Sequence, residues 1–569
     1  MQRCPYPGLA ALVISTMLAA GCSSSNGTRQ VRLSTSPASA AAPSPKETAP
    51  SRIKDEKLIS AHAHYAQAVI YDMQDDAAHA LEEYAKSALD DPGNEELVLE
   101  LSRRYIQQKD DEKAIEILKR ATALPDASGP LFARLGMVYS RAGKDDLAMA
   151  ACQTAIQKSP KSLTGYQNLF LIYLQKGRPA EALKVLDQAA KESGTDAEFL
   201  VDLGELYANL ERQAPSQKES TRRNALRVLK RARKLEPLDP HIRMKLADGF
   251  NVLGDSTNAV NLYLQLLNKY DDRPAVRGDV RAKLADIYLR DKDSTNAIAQ
   301  LKAIIQDDPA NAKAYYYLGS LAYDQRNLPE AADFFHKTLL LSDDFEQAYY
   351  DLAGVQINLD QPKEAIATLD KARQKFQNGF VLEFFTGLAY SKEKEYTNAV
   401  THLISAEVIA KATEPKRLNT SFYFQLGSAY EREGDLEQAE LYFDKCLQMS
   451  PNFPEALNYL GYMWAEHDVK LEKARELIEK AVKLEPKNSA YLDSLGWVLY
   501  KLKQPKEALE NIQEAIKYSE EVDATLYDHL GDVYAALKQN NMASEAWRKS
   551  LTVEPNDQVK KKLEQIKPQ

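Results

Sequence analysis

Amphipathic helical segments follow one another from about residue 55 to residue 557, and each is marked by a small alanine. Successive alanines are 34 residues apart in eight of thirteen steps, and the other five steps are 35 to 43 residues long. In seven segments a proline stands twelve residues after the alanine, where it ends a helix. The pattern predicts fourteen units of two helices. The alanines are Ala80, Ala114, Ala148, Ala182, Ala225, Ala259, Ala297, Ala331, Ala365, Ala399, Ala439, Ala474, Ala508 and Ala543.

A second pattern, Leu-Gly or Leu-Ala followed by Tyr three residues later, lies upstream of many of these alanines. It appears as Leu135-Gly136 with Tyr139, and as Leu530-Gly531 with Tyr534. Small residues let two helices approach closely, and the large residues beside them fill the remaining space. Because one such unit cannot bury its apolar faces alone, neighbouring units must stack into a continuous core.

These are the signature positions of tetratricopeptide repeats, and the sequence resembles that family over residues 61–557. The resemblance implies an all-α, right-handed superhelical solenoid of about fourteen helix-turn-helix repeats, which we place at residues 55–557. Longer intervals predict three insertions: residues 212–224 lengthen an inter-helix loop, residues 271–277 precede unit seven, and residues 407–419 lengthen the second helix of unit ten. Residues 558–569 are expected to form a solvated capping segment.

The first 21 residues are typical of an export signal. Arg3 precedes a short apolar stretch from Leu9 to Ala20, which as a helix would rise about 18 Å, too little to cross a bilayer core of about 30 Å. A cleaved signal peptide at residues 1–21 is therefore favoured over a membrane-spanning helix.

The residues around Cys22 resemble the lipobox of bacterial lipoproteins. Leu18-Ala19-Ala20-Gly21-Cys22 carries the small residues and the cysteine of that motif, although Ala19 stands where leucine is usual. The resemblance implies that Cys22 receives acyl chains such as palmitate and becomes the first mature residue. Ser23 then favours the outer membrane, and we expect the chain to face the periplasm. The alternative is an ordinary signal peptide with an incidental cysteine. Residues 22–54, rich in Ser, Ala and Pro, predict a flexible linker.

Composition and motifs argue against catalysis and against nucleic-acid binding. The net charge of −9 provides no general basic field for a phosphate backbone. The four cysteines have no metal-ligand spacing, and Cys152 and Cys446 lie on apolar helix faces as expected of buried small residues. No dinucleotide fingerprint, Walker loop, zinc-protease motif or nucleophile elbow occurs. We expect no enzyme activity, cofactor, metal or small-molecule substrate.

The likeness to tetratricopeptide repeats also implies where a partner binds. In that family the first helix of each unit lines a concave groove through its fifth, ninth and twelfth positions. Aromatic residues there suit protein contacts or pack against the next unit, and acidic residues suit a basic partner segment or a solvated face. The candidate partner-binding residues are Tyr316, Tyr350, Phe384, Phe424, Tyr462, Asp493, Trp497, Asp528 and Asp532.

Two further features bear on partners. A basic cluster between Arg227 and Lys234 suits anionic lipid headgroups, an acidic partner or a solvated face. The stretches 457–462, 474–481 and 491–497 resemble large bacterial lipoproteins that act as adaptors for periplasmic carboxyl-terminal-processing proteases and supply them with cell-wall hydrolases. The resemblance implies a non-catalytic adaptor with protein partners in the periplasm. The alternatives are a scaffold for exopolysaccharide secretion or pilus biogenesis, and an unrecognised catalytic site.

Overall fold

The computed structural model describes residues 49–270, 272–521 and 523–566, with side chains from residue 55 onward. Within these ranges the chain is all-α, with twenty-nine α-helices, two short 3-10 turns and no strand. The helices form two compact units, one ending at Pro160 and the other beginning at Lys161. The signal peptide, Cys22 and most of the linker fall outside the described residues, and the first helix begins at Ala49.

The first unit holds three pairs of helices. They are α1 (Ala49–Met73), α2 (Ala77–Asp90), α3 (Glu95–Gln107), α4 (Asp111–Thr122), α5 (Gly129–Arg141) and α6 (Asp145–Lys158).

The second unit holds eleven further pairs and a final helix. They are α7 (Leu163–Gln175), α8 (Pro179–Lys191), α9 (Ala197–Gln213), α10 (Lys218–Lys234), α11 (Pro240–Val252), α12 (Ser256–Lys269), α13 (Pro274–Arg290), α14 (Ser294–Asp307), α15 (Ala312–Asp324), α16 (Leu328–Leu341), α17 (Glu346–Asn358), α18 (Pro362–Lys375), α19 (Phe380–Lys392), α20 (Tyr396–Thr413), α21 (Thr420–Glu433), α22 (Leu436–Met449), α23 (Pro454–Glu466), α24 (Leu471–Leu484), α25 (Ser489–Lys501), α26 (Pro505–Tyr518), α27 (Ala524–Ala536), α28 (Asn540–Val553) and α29 (Asp557–Gln565).

The alanines that defined the repeat form the centre of each helix pair. All fourteen, from Ala80 to Ala543, have 0% exposure, so no larger side chain fits at these positions without moving a helix. Opposite them the glycines of the first helices allow the same close approach: a Cβ added at Gly496 would lie 2.4 Å from Ile512 Cγ1. The predicted repeat fold is confirmed, and its signature residues serve packing.

Local chemistry fixes where each helix begins and how each pair turns. Five of the fourteen second helices are capped by an aspartate, for example where the Asp435 side chain accepts from the backbone N–H of Gln438. The turn inside a pair usually needs one left-handed residue. Gly434 supplies it without steric cost at φ 95°, whereas Lys503 takes the same role at φ 64°.

The first insertion is helical, contrary to the prediction of a longer loop. Residues 212–224 extend α9 to Gln213 and begin α10 at Lys218, with only a 3-10 turn, Pro215–Gln217, near the junction. Both helices have 17 residues, against 13 or 14 in most others. The inserted sequence is rich in Lys, Arg and Glu, which favour helix, and Thr221 is wholly buried, so the added turn is packed. The third insertion lengthens α20 to 18 residues, as predicted.

Cys152 and Cys446 are free and fully buried, and burial raises the pKa of each thiol to about 12. Each therefore acts as a small apolar side chain, as predicted. None of the described helices has both the length and the apolar character needed to cross a bilayer.

Candidate partner-binding site

The predicted binding residues all lie on the first helices of consecutive pairs in the second unit, from α15 to α27. We call this series of side chains, at the fifth, ninth and twelfth positions of those helices, the inner row. Direct contacts between first helices, such as α17 with α19 and α23 with α25, bring its members from different repeats together.

Two of the predicted aromatic residues are buried packing elements. Tyr316 is 8% exposed, donates its hydroxyl to Asp351 Oδ2 at 2.8 Å, and stacks on Phe345 with ring centroids 4.6 Å apart. Tyr350 is 5% exposed and donates to Glu346 Oε1 at 2.7 Å, and its burial raises the pKa of the phenol. Their hydroxyls donate to neighbouring carboxylates. Both rings therefore pack within the protein, which is one of the two roles that the sequence predicts for them.

Phe384 and Phe424 are only partly buried. Phe384 stacks on Phe380 at 5.5 Å between ring centroids. Phe424 meets Tyr459 edge-to-face at 5.3 Å. Each ring is held in place by its neighbours and retains some exposed surface, which is the arrangement of a rigid aromatic anchor.

Trp497 lies at the centre of a buried cluster. Its ring stacks on His529 at 4.0 Å between centroids, and its Nε1 donates to Glu466 at 2.9 Å. His529 Nδ1 lies 3.0 Å from Asp493 Oδ2. Burial alone would lower the pKa of His529, but the Asp493 carboxylate outweighs it and the pKa lies above its ordinary value. Trp497 and Asp493, both on α25, therefore connect this helix to α23 through Glu466 and to α27 through His529.

Asp528 and Asp532 are paired with a lysine from the last helix. Lys562 Nζ donates to Asp528 at 2.9 Å and to Asp532 at 2.7 Å, and Trp547 Nε1 also donates to Asp532 at 3.2 Å. Burial raises the pKa of Asp532 against the opposing effect of Lys562. The last helix, α29, lies in the segment expected to be solvated, but its Lys562 is paired with these carboxylates.

The remaining inner-row surface lies between α21 and α25. Tyr462 is partly buried, and burial together with the nearby Glu466 carboxylate raises its pKa. Glu466, which ends α23 directly after the twelfth position, is exposed, whereas Glu431 at the twelfth position of α21 is partly buried and burial raises the pKa of its carboxyl group. Asn458, one helical turn before Tyr462, is 7% exposed and its Oδ1 has no hydrogen bond. This segment of the row keeps both aromatic surface and unmet polar capacity.

His529 and Lys562 were missed at the sequence level. Neither residue is among the predicted binding residues, and Lys562 lies in the segment that was expected to be solvated. The repeat spacing did contain the signal for Lys562, because it stands 34 residues after Asp528 and so occupies the fifth position of an incomplete further repeat. His529 directly follows Asp528, and its ring lies against Trp497 of the preceding repeat.

Cys22 lies outside the described residues. Within the described ranges, no group of three or more His, Cys, Asp or Glu side chains is arranged to hold a metal ion.

Family models support the repeat assignment. Models described as tetratricopeptide repeat match residues 134–162, 168–214, 282–344, 420–453 and 524–557. The chain therefore contains tetratricopeptide repeats, which typically build non-catalytic scaffolds for protein–protein interaction.

The chain is also similar to parts of several known proteins. A peroxisomal targeting signal receptor of Kluyveromyces lactis is 24% identical over 226 residues, covering 39% of this chain and 37% of the receptor. The protein O-mannosyl-transferase Tmtc3 of Drosophila melanogaster is 32% identical over 73 residues, which are 13% of this chain and 8% of that protein. The chain thus spans well under half the length of these relatives. The solved APC/C hetero-tetramer Cut9–Hcn1 aligns over 81% of this chain and 94% of that chain, with 15% identity and a TM-score of 0.38.

Proposed function

We propose that this chain of tetratricopeptide repeats is a non-catalytic scaffold that holds a protein partner against the inner row of its second unit. The observation that carries the proposal is the contrast along that row. Tyr316, Tyr350 and Trp497 are buried, whereas Phe384, Phe424 and Tyr462 keep accessible surface. Rigid aromatic side chains that stay partly exposed contribute large contact area at small entropic cost.

The carboxylates on and beside the inner row indicate which kind of partner segment can bind there. Asp493, Asp528 and Asp532 are already matched by His529 and Lys562. Glu466 is exposed and accepts a hydrogen bond from Trp497 Nε1 at 2.9 Å, and the partly buried Glu431 has its Oε2 3.2 Å from Arg432 Nε. A partner segment that carries apolar side chains with a lysine or arginine would add charge-assisted hydrogen bonds to these two carboxylates.

We further propose that the scaffold is an envelope adaptor anchored through Cys22. The lipobox-like sequence supports an outer-membrane lipoprotein facing the periplasm, and the linker would let the repeats extend away from the bilayer. The resemblance of residues 457–462 and 491–497 to protease-adaptor lipoproteins favours recruitment or activation of a carboxyl-terminal-processing protease and its cell-wall hydrolase substrates. Both the lipid anchor and the protease-adaptor role are inferred from sequence resemblance.

Co-purification from detergent-solubilised envelope tests this proposal. We expect the tagged chain to recover a periplasmic protease or a cell-wall hydrolase. The double variant Glu431→Gln, Glu466→Gln should reduce recovery at least about tenfold, because charge-assisted hydrogen bonds contribute about 1.5–3 kcal/mol each. The amount of partner recovered per amount of scaffold is measured by quantitative mass spectrometry.

A matched control replaces two exposed glutamates on second helices, Glu437 of α22 and Glu476 of α24, by glutamine. This control changes net charge equally and should leave recovery unchanged. Equal loss in both variants would contradict binding at the inner row. Recovery of a secretin or polysaccharide porin would instead support the export-scaffold alternative and would overturn the protease adaptor.

A further inference from the structure

Helix α10 is strongly basic within an acidic chain. Its 17 residues contain eight lysines and arginines and a single acidic residue, Glu219, whereas the whole protein has a net charge of −9. Seventeen residues make a helix of about 25 Å, so the charge is concentrated on a short length of surface.

Four of these basic residues form one stripe. Arg223, Arg227, Lys230 and Lys234 are separated by four, three and four residues, a spacing that puts side chains on the same side of a helix. All four are exposed, and none forms an ion pair with any residue in the described part of the chain. The only polar contact of the stripe there is from Arg227 Nη2 to Asn224 Oδ1, at 3.0 Å. We call this set the α10 stripe.

Other basic residues of the same helix have structural roles. Arg231 donates to the backbone carbonyls of Ala190 and Glu192, the second at 2.9 Å, and Arg233 donates to Asn258 Oδ1. These arginines tie α10 to the repeats on either side. The α10 stripe does not share this role, so packing does not account for its charge.

Two leucines follow the stripe directly in the chain. Leu235 is 50% exposed and Leu238 is 77% exposed, which makes them among the more exposed large apolar residues of the described chain. An exposed basic stripe followed in the chain by exposed apolar side chains combines the two features of a membrane-surface contact: attraction to anionic headgroups and shallow insertion of apolar groups.

We propose that the α10 stripe, together with Leu235 and Leu238, docks onto a bilayer that contains anionic phospholipid. The exposed leucines favour a lipid surface over a soluble acidic polypeptide, since they gain nothing from a purely polar polyanion. The contact is separate from acylation at Cys22 and from partner binding at the inner row. Where the chain is also acylated, the stripe would supply a second point of attachment that orients the repeats against the membrane.

Co-sedimentation with vesicles tests the proposal. The protein is the expected mature chain, residues 22–569, carrying Cys22→Ser, so that neither an acyl chain nor the apolar signal peptide is attached, and the vesicles contain phosphatidylcholine with or without phosphatidylglycerol. We expect binding only with phosphatidylglycerol, and loss of binding at 1 M salt, where the Debye length is about 3 Å. Each basic residue near an anionic surface contributes about fivefold, so replacing all four stripe residues by glutamine should weaken binding on the order of 100-fold or more.

The matched control replaces four exposed lysines scattered over other second helices, Lys302, Lys371, Lys473 and Lys506, by glutamine. It has the same net charge and the same N-terminal segment as the stripe variant, and should bind nearly as the parent does. Circular dichroism must show that both variants melt as the parent does. Equal weakening in the two variants, or equal binding to neutral vesicles, would overturn the proposal. Binding of soluble polyglutamate with no binding to vesicles would also overturn it, in favour of an acidic protein.

Discussion

Replacing Trp497 with alanine is expected to lower the free energy of unfolding of the C-terminal repeats by about 3–5 kcal/mol. The change removes a ring that is 7% exposed, its stack on His529 and its hydrogen bond to Glu466. The buried His529–Asp493 pair then borders a cavity. Urea denaturation followed by circular dichroism measures the loss, read from the transition of these repeats because long arrays need not unfold in one step.

The variant Trp497→Phe separates packing from hydrogen bonding. It keeps an aromatic ring but no N–H donor, so it should cost only about 1–2 kcal/mol. A loss below about 1 kcal/mol for the alanine variant would contradict the buried role of Trp497. Trp497 would then belong to the accessible partner surface that its repeat position predicts.

The second large effect is expected at Gly496, where a methyl group has no room. A Cβ there would lie 2.4 Å from Ile512 Cγ1 and 3.1 Å from the carbonyl oxygen of Ala508, so α25 and α26 must separate. We expect Gly496→Ala to destabilise the protein by about 1–3 kcal/mol. Thermal unfolding of the variant and of the double variant with Ile512→Ala measures how much of that loss is contact between the two residues.

Gly278 provides a control of opposite sign. It lies inside α13 with nothing within 4 Å of its added Cβ, so Gly278→Ala should stabilise by up to about 1 kcal/mol through helix propensity alone. If both alanine variants change stability in the same direction, close packing of the first and second helices is not what makes glycine necessary at Gly496.

The fold could be predicted because its signals are local and repeated. Each alanine from Ala80 to Ala543 marks the same contact between two helices, and small residues recurring at this fixed spacing are typical of stacked helix pairs. The insertion at residues 212–224 was harder, since additional length alone does not distinguish a loop from extended helices. The wholly buried Thr221 shows that tertiary packing stabilises the insertion as helix.

The candidate site could be predicted only in part. Repeat position identifies which residues belong to the inner row, but it does not say which of them the neighbouring unit covers. Tyr316 and Phe384 share a position, yet Asp351 and Phe345 enclose the first, while the second keeps accessible surface. Such contacts depend on side chains about 35 residues apart, and no local pattern reports them. The pairing of Asp528 with Lys562 is the exception, because the repeat spacing itself connects the two.

Site-specific photo-crosslinking in intact cells tests the central claim most directly. A photoreactive phenylalanine analogue is placed at Phe384, Phe424 or Tyr462 of the inner row. For comparison it is placed at Val408 of α20 or Leu441 of α22, which are 61% and 45% exposed on second helices. We predict a covalent adduct with one envelope protein from the inner-row positions and none from the two comparison positions. Adducts formed only from Val408 or Leu441 would contradict the account and place partner binding on the second helices.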